Sequence, residues 1–277
     1  MIPKKLHGQI LASTKRDLQD EELSREALER VIASYPERMP LHQRHDLSRD
    51  TIGSIENLRV EADPEALGHY VIKGDIEIKD GALDPDLSGF SISFLEKIQS
   101  NAESPLHYVF LPYPLYRDSE LVQSFLDDDE SVYVGKFVKK QVDPLLIGLI
   151  GTGIALALGP EWDIQYRQRV RPAILKVISW LPTLAQRNAS ADLAQHVIGK
   201  RGEEVQLILI PERGAEESCL SPERVERVMG SAKRFLDEDE KSQMVGVRRI
   251  KFLWDPASSA YKLAHVEYLD GSDCYHA

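Results

Sequence analysis

The chain has 277 residues, of which 42% are hydrophobic and 29% charged, the composition of a globular protein with one large domain or two ordinary ones. Its net charge of −11 argues against nucleic acid as a partner, because phosphate binding needs concentrated lysine and arginine. Cys219 and Cys274 form neither a disulfide framework nor a metal-ligand set, and no cleavable signal sequence opens the chain, so we expect a cytoplasmic protein without metal or cofactor.

The N-terminal part is predicted to consist of strands with one helix packed outside them. The helix is expected near residues 23–34, where apolar residues recur at helical spacing. Strands are expected at 52–60, 70–78 and 90–95, because apolar and polar residues alternate there. These strands predict a mostly antiparallel sheet that is closed or nearly closed into a barrel.

Two residues of this part belong to types used in nucleophilic catalysis. His45 follows Pro40 and Leu41, and Ser91 lies between Phe90 and Ile92 on the predicted third strand, facing away from the core. A serine hydroxyl is a poor nucleophile until a neighbouring imidazole takes its proton. The pair therefore predicts protease chemistry if the two side chains meet.

Residues 5–116 resemble the prohead (head-maturation) proteases of tailed phages, which are distantly related in fold to the herpesvirus assemblins. The resemblance lies in His45-Asp46 followed by Ile52-Gly53, and in the segment from Ser91 to Phe94. It implies that Ser91 is the nucleophile, that His45 is the catalytic base and that the substrate is a protein or peptide. We also expect a homo-oligomer. Ser93 stands where the family has a glycine.

The resemblance also suggests a third catalytic residue. The phage family has an acidic residue shortly before a Val-x-x-Pro stretch, and the similar run Leu106–Pro114 offers His107 instead. Assemblins use a second histidine, which can orient the first imidazole. Glu120 and Glu77 are acidic alternatives for this role.

An uncharged, glycine-rich segment at residues 144–160 is predicted to be a hydrophobic helix that opens the second domain. Its length lies between that of a buried core helix and that of a membrane span. Gly151, Ala155 and Gly159 repeat at the spacing of small-residue helix contacts in membranes. The sequence leaves open whether this helix is buried in the protein or associates it with a membrane.

The rest of the chain is predicted to form an α+β domain. Helices are expected around 170–181, after Ser190 and from Pro222, a strand at 203–210, and a hairpin of 247–254 with 261–269. The histidines of this part are too scattered to suggest a metal site; they are His196, His265 and His276.

The sequence therefore predicts an α+β protein with two domains. Residues 1–135 would form a prohead-protease-like domain with a mostly antiparallel barrel, and residues 136–277 a C-terminal α+β domain. The predicted function is that of a serine endopeptidase that cleaves itself or a protein partner. The alternative is a non-catalytic interaction module, or a membrane-associated assembly module, that reuses the protease barrel.

Overall fold

The chain divides into two compact units. A computed structural model describes residues 4–17, 20–34, 37–42, 50–79, 90, 94–100, 107–128, 131–138, 148–157, 164, 167–168, 171–187, 190–199 and 201–276. The N-terminal unit comprises Met1–Phe94 with Val138–Asp143, and the C-terminal unit comprises Leu95–Phe137 with Pro144–Ala277. The predicted domain boundary after residue 135 falls within a strand, Val132–Val138.

The N-terminal unit is built on a four-stranded antiparallel sheet of order β1-β4-β3-β2. Its elements are β1 (Lys4–Ser13), α1 (Arg25–Ser34), β2 (Arg38–His42), β3 (Thr51–Ala62) and β4 (Tyr70–Ile78). Alternating residues of β4, such as Ile76 and Ile78, enter an apolar core that Leu28 of α1 covers. The predicted helix near 23–34 and the predicted strands at 52–60 and 70–78 are thereby confirmed.

The predicted closed barrel is corrected, because this sheet is open within the described residues. β1 and β2 are its outer strands, and each pairs with a single neighbour. β2 has 5 residues and includes Pro40, which has no N–H to donate and suits an edge strand. Of the predicted strand at 90–95, residues 91–93 lie outside the described part of the chain, and Phe94 begins a strand of the second sheet.

The second sheet is mixed and has nine described strands in the order β13-β12-β11-β10-β9-β8-β6-β7-β5. Among the pairs whose register is described, β6 with β7, β8 with β9 and β10 with β11 are parallel. The strands are β5 (Phe94–Ser100), β6 (His107–Pro112), β7 (Val132–Val138), β8 (Gly148–Ala157), β9 (Ala191–Ile198), β10 (Glu204–Ile210), β11 (Val247–Asp255), β12 (Ala260–Tyr268) and β13 (Asp273–Tyr275).

Six described α-helices accompany this sheet. They are α2 (Ser119–Asp128), α3 (Arg171–Ser179), α4 (Leu181–Ala185), α5 (Glu216–Cys219), α6 (Pro222–Glu238) and α7 (Glu240–Val245). The apolar face of α6, the helix predicted from Pro222, is buried, with Val225 and Met229 fully inaccessible. It packs into one core with residues of β6, β7 and β9–β12, which confirms the predicted helix, the 203–210 strand and the terminal hairpin.

Two helix predictions in this unit are wrong. Within the glycine-rich segment, Gly148–Ala157 is the strand β8, hydrogen-bonded to β6 on one side and to β9 on the other. The segment after Ser190 is β9 rather than a helix. A continuous apolar run suits a strand of a mixed sheet as well as a helix, and periodicity alone does not separate the two. No helix in the described ranges has the length and apolar character needed to cross a membrane.

Candidate functional site

The chain segments that flank His45 form a strand pair in the N-terminal unit. His45 and Ser91 themselves lie outside the described residues. β2 ends at His42, β3 begins at Thr51, and the two strands pair with Leu41 opposite Gly53. The catalytic candidate His45 thus belongs to the connection between two antiparallel neighbours in the sheet.

Gly53 occupies a position where a side chain does not fit. A Cβ atom built there would lie 2.0 Å from the carbonyl oxygen of Glu77 in the neighbouring strand β4. Ile52 beside it is buried in the core of the unit. The Ile-Gly pair, which carries part of the protease resemblance, therefore has a physical reason in this fold: close approach of β3 and β4 requires glycine.

Glu77 is the only one of the three proposed orienting residues that belongs to the N-terminal unit. It lies on β4 between the core residues Ile76 and Ile78, so its side chain points away from the core. Its carboxylate lies 3.4 Å from the ammonium group of Lys5. Glu77 is therefore a half-buried, solvent-facing carboxylate.

His107 is buried at the start of β6 in the C-terminal unit, with 5% of its surface exposed. Its ring meets that of Trp180 edge to face, at 5.7 Å between centroids. The Trp180 indole N–H in turn donates a hydrogen bond to the Asp128 carboxylate at 2.6 Å. These contacts give His107 a packing role in its own unit. Glu120, the remaining alternative, is exposed in the first turn of α2.

A cluster of buried charges in the C-terminal unit was missed by the sequence interpretation. Lys251 on β11 and Glu267 on β12 each have 2% of their side chain exposed, and their charged groups lie 3.7 Å apart. Arg249 lies 3.3 Å from the same carboxylate. His265 contacts Glu267 at 3.8 Å through Nδ1 and Asp273 at 3.1 Å through Nε2. We call these five residues the charge cluster.

The charge cluster alters the titration of its lysine. Burial lowers the pKa of Lys251 to about 8, although the Glu267 carboxylate acts in the opposite direction. This cluster could not be predicted from sequence because the register of β11 and β12 brings its residues together: Lys251 pairs with His265, and Arg249 with Glu267. Each looks like an ordinary polar position of an alternating strand. No group of three or more His, Cys, Asp or Glu residues in the described part of the chain is arranged to hold a metal ion.

Comparison with known proteins gives no match. No protein-family model, no curated protein and no solved structure is similar to this chain at a significant level. Function is therefore inferred from the motif residues and from the contacts that surround them.

Proposed function

We propose that the N-terminal unit is a serine endopeptidase of the prohead-protease type, acting on a protein or peptide. Ser91 Oγ attacks the peptide carbonyl while His45 takes the hydroxyl proton, and His45 then returns that proton to the leaving amine. A water molecule then attacks the acyl carbonyl while His45 takes its proton, and His45 returns that proton to Ser91 Oγ as the acyl group leaves.

The observation that carries this proposal is the fit of Gly53 against β4. The family motif joins the catalytic histidine to an Ile-Gly pair, and here the glycine has a steric reason, since a Cβ would lie 2.0 Å from the Glu77 carbonyl oxygen. A motif residue that the fold requires, and that stands in the expected order along the chain, supports the family resemblance better than sequence similarity alone. The orienting role stays open among His107, Glu77 and Glu120, of which Glu77 belongs to the N-terminal unit.

Cleavage by the full-length chain tests the proposal. We expect the purified protein to cleave itself or a mixed peptide library, with fragments detected by mass spectrometry. Ser91→Ala and His45→Ala should each abolish cleavage, because residues that act as one unit lose nearly all activity singly. Ser88→Ala changes a nearby serine without a proposed role and is expected to retain full activity.

The orienting residue is identified by three further variants. His107→Ala, Glu77→Gln and Glu120→Gln should differ, with the orienting residue showing a reduced rate and the other two a normal one. If cleavage is absent in the wild type, or survives in both Ser91→Ala and His45→Ala, the endopeptidase proposal is wrong. A non-catalytic interaction module is then the better interpretation of the N-terminal unit.

A further inference from the structure

A pocket of about 650 Å³ lies in the C-terminal unit, beside the end of β10 and the start of β9. Helix α4 forms one side, and the loop after β10 with the short helix α5 forms the other. Its apolar lining includes Leu181, Pro182, Leu184, Ala185, Ala191 and Ala215. Its volume lies within the range of small-molecule sites. In α/β sheets such sites lie outside the carboxyl ends of parallel strands, and β10 is parallel to β11.

The pocket also has an acidic side. Glu216 and Glu217 both line it, and neither carboxylate has an ion-pair partner in the described part of the chain. Two arginines occur nearby, Arg213 and Arg224, but both bind other groups. Arg213 lies 3.1 Å from the fully buried carboxylate of Asp192, so its charge is already paired within the protein.

Arg224 makes two contacts with uncharged groups. Its guanidinium donates a hydrogen bond to the Ser218 carbonyl and lies over the Trp254 ring at 4.6 Å from its centroid. Among the described residues, neither arginine forms an ion pair with Glu216 or Glu217, so both carboxylates are available to a cationic ligand.

The Tyr261 hydroxyl is an uncharged polar group close enough to Glu216 to interact with its charge, although Tyr261 does not line the pocket. It is buried without a hydrogen-bond partner among the described residues. Burial raises its pKa above the ordinary value for tyrosine, and the charges of Asp192 and Glu216 act in the same direction. The phenol therefore stays protonated at neutral pH and can donate or accept a hydrogen bond.

We propose that this pocket binds a small organic cation, in which an amine or guanidinium group is joined to an apolar body. Leu181, Leu184 and Ala191 would cover the apolar body, and Glu216 and Glu217 would accept hydrogen bonds from the cationic group. Charge-assisted hydrogen bonds of this kind are stronger than neutral ones and discriminate against anions of the same shape. The site does not depend on Ser91 or His45.

Calorimetric titration of the full-length protein with two matched probes tests this site. Tryptamine and indole-3-propionate share an indole body but end in an ammonium and a carboxylate group. We expect tryptamine to bind at least about tenfold more tightly than indole-3-propionate, and the preference to weaken at high salt because the carboxylates are partly exposed. The double variant E216Q/E217Q should lose most of this preference.

Two variants complete the test. Glu226→Gln removes one exposed glutamate of α6 that is not part of the pocket lining, and it should bind tryptamine like the wild type. Ala185→Trp should fill the pocket and remove binding, with an unchanged circular dichroism spectrum showing that the protein is folded. The proposal is overturned if tryptamine does not bind, if both probes bind equally, or if E216Q/E217Q and Ala185→Trp leave binding unchanged.

Discussion

Each unit of this protein holds a glutamate between an arginine and a lysine, but in opposite surroundings. In the N-terminal unit, Glu61 accepts from Arg59 at 2.7 Å and from Lys73 at 2.8 Å, and 39% of its side chain is exposed. In the C-terminal unit, Glu267 lies 3.3 Å from Arg249 and 3.7 Å from Lys251, and 2% of its side chain is exposed.

Burial, more than the distance between the charges, determines how much such a triad contributes to the free energy of unfolding. The exposed triad has the shorter contacts, yet water and salt screen its attraction, so it contributes little. The buried triad has the longer contacts, but Glu267 and Lys251 have lost nearly all of their hydration and depend on each other and on Arg249. A charge removed from it leaves an uncompensated buried ion.

The largest difference between the units should follow from neutralising these two glutamates. Glu267→Gln is expected to lower the free energy of unfolding by about 3–5 kcal/mol, because Lys251 loses its counterion while buried. Glu61→Gln should cost less than about 1 kcal/mol. All three tryptophans belong to the C-terminal unit, so urea unfolding followed by their fluorescence measures the first variant, and amide exchange in β3 and β4 measures the second.

Equal costs for Glu267→Gln and Glu61→Gln would contradict the comparison. It would mean that the buried triad is solvated in solution or that the contacts of Glu61 are stronger than its exposure indicates. A double variant, Glu267→Gln with Lys251→Met, removes both partners and should recover part of the lost stability, since no buried lysine is then left without its glutamate.

A second test compares glycines in the two units. Gly53→Ala should lower the stability of the N-terminal unit by about 1–3 kcal/mol, because its Cβ would meet the Glu77 carbonyl oxygen at 2.0 Å. At Gly230 of α6, an added Cβ would have nothing within 4 Å, so Gly230→Ala should stabilise its helix by about 0.5–1 kcal/mol. Amide exchange in β4 measures the effect of Gly53→Ala, and tryptophan fluorescence measures that of Gly230→Ala. If Gly53→Ala stabilised the protein, the close approach of β3 to β4 would be refuted.

The third effect concerns the dependence of stability on pH. The pKa of Lys251 is about 8 in the fold and 10.5 ordinarily, so between these values the unfolded chain binds the proton that the folded protein has lost. Stability therefore rises with pH in this range. We expect the C-terminal unit to gain about 1–2 kcal/mol between pH 8 and 10, measured by urea unfolding, and the gain to vanish in Lys251→Met.

Above about pH 10 the slope should reverse, because unfolded tyrosines ionise there. Burial raises the pKa of Tyr261 and of Tyr268 in the folded protein, so the folded state then holds the additional protons and stability falls. A stability that is flat or falling between pH 8 and 10 would show that the Lys251 ammonium is not desolvated in the native state.

Much of the secondary structure could be predicted from sequence where the pattern had one explanation. The alternation in β4 and the helical stripe of α6 each left a single choice, and both are found. The glycine-rich apolar segment that forms β8 had two possible interpretations, because such residues suit a buried strand and a buried helix equally well. Its partners β6 and β9, which make it a strand, are distant in the chain.

The candidate sites were predictable to different degrees for a related reason. Gly53 could be singled out because a motif marked it, and the structure supplies its contact with β4. The charge cluster could not, because Lys251 and His265 become neighbours only through the register of β11 and β12. Sequence spacing shows which face of a strand a residue takes, but not which residue lies opposite.

The central claim, that Ser91 is an activated nucleophile, is tested most directly by labelling with a fluorophosphonate probe and locating the adduct by peptide mass spectrometry. Such probes react with serine hydroxyls that a neighbouring base activates. We predict one adduct, on Ser91, in the wild type and in Ser88→Ala, and none in His45→Ala or Ser91→Ala. A wild-type protein that resists labelling, or that is labelled at Ser91 equally well without His45, would contradict the account.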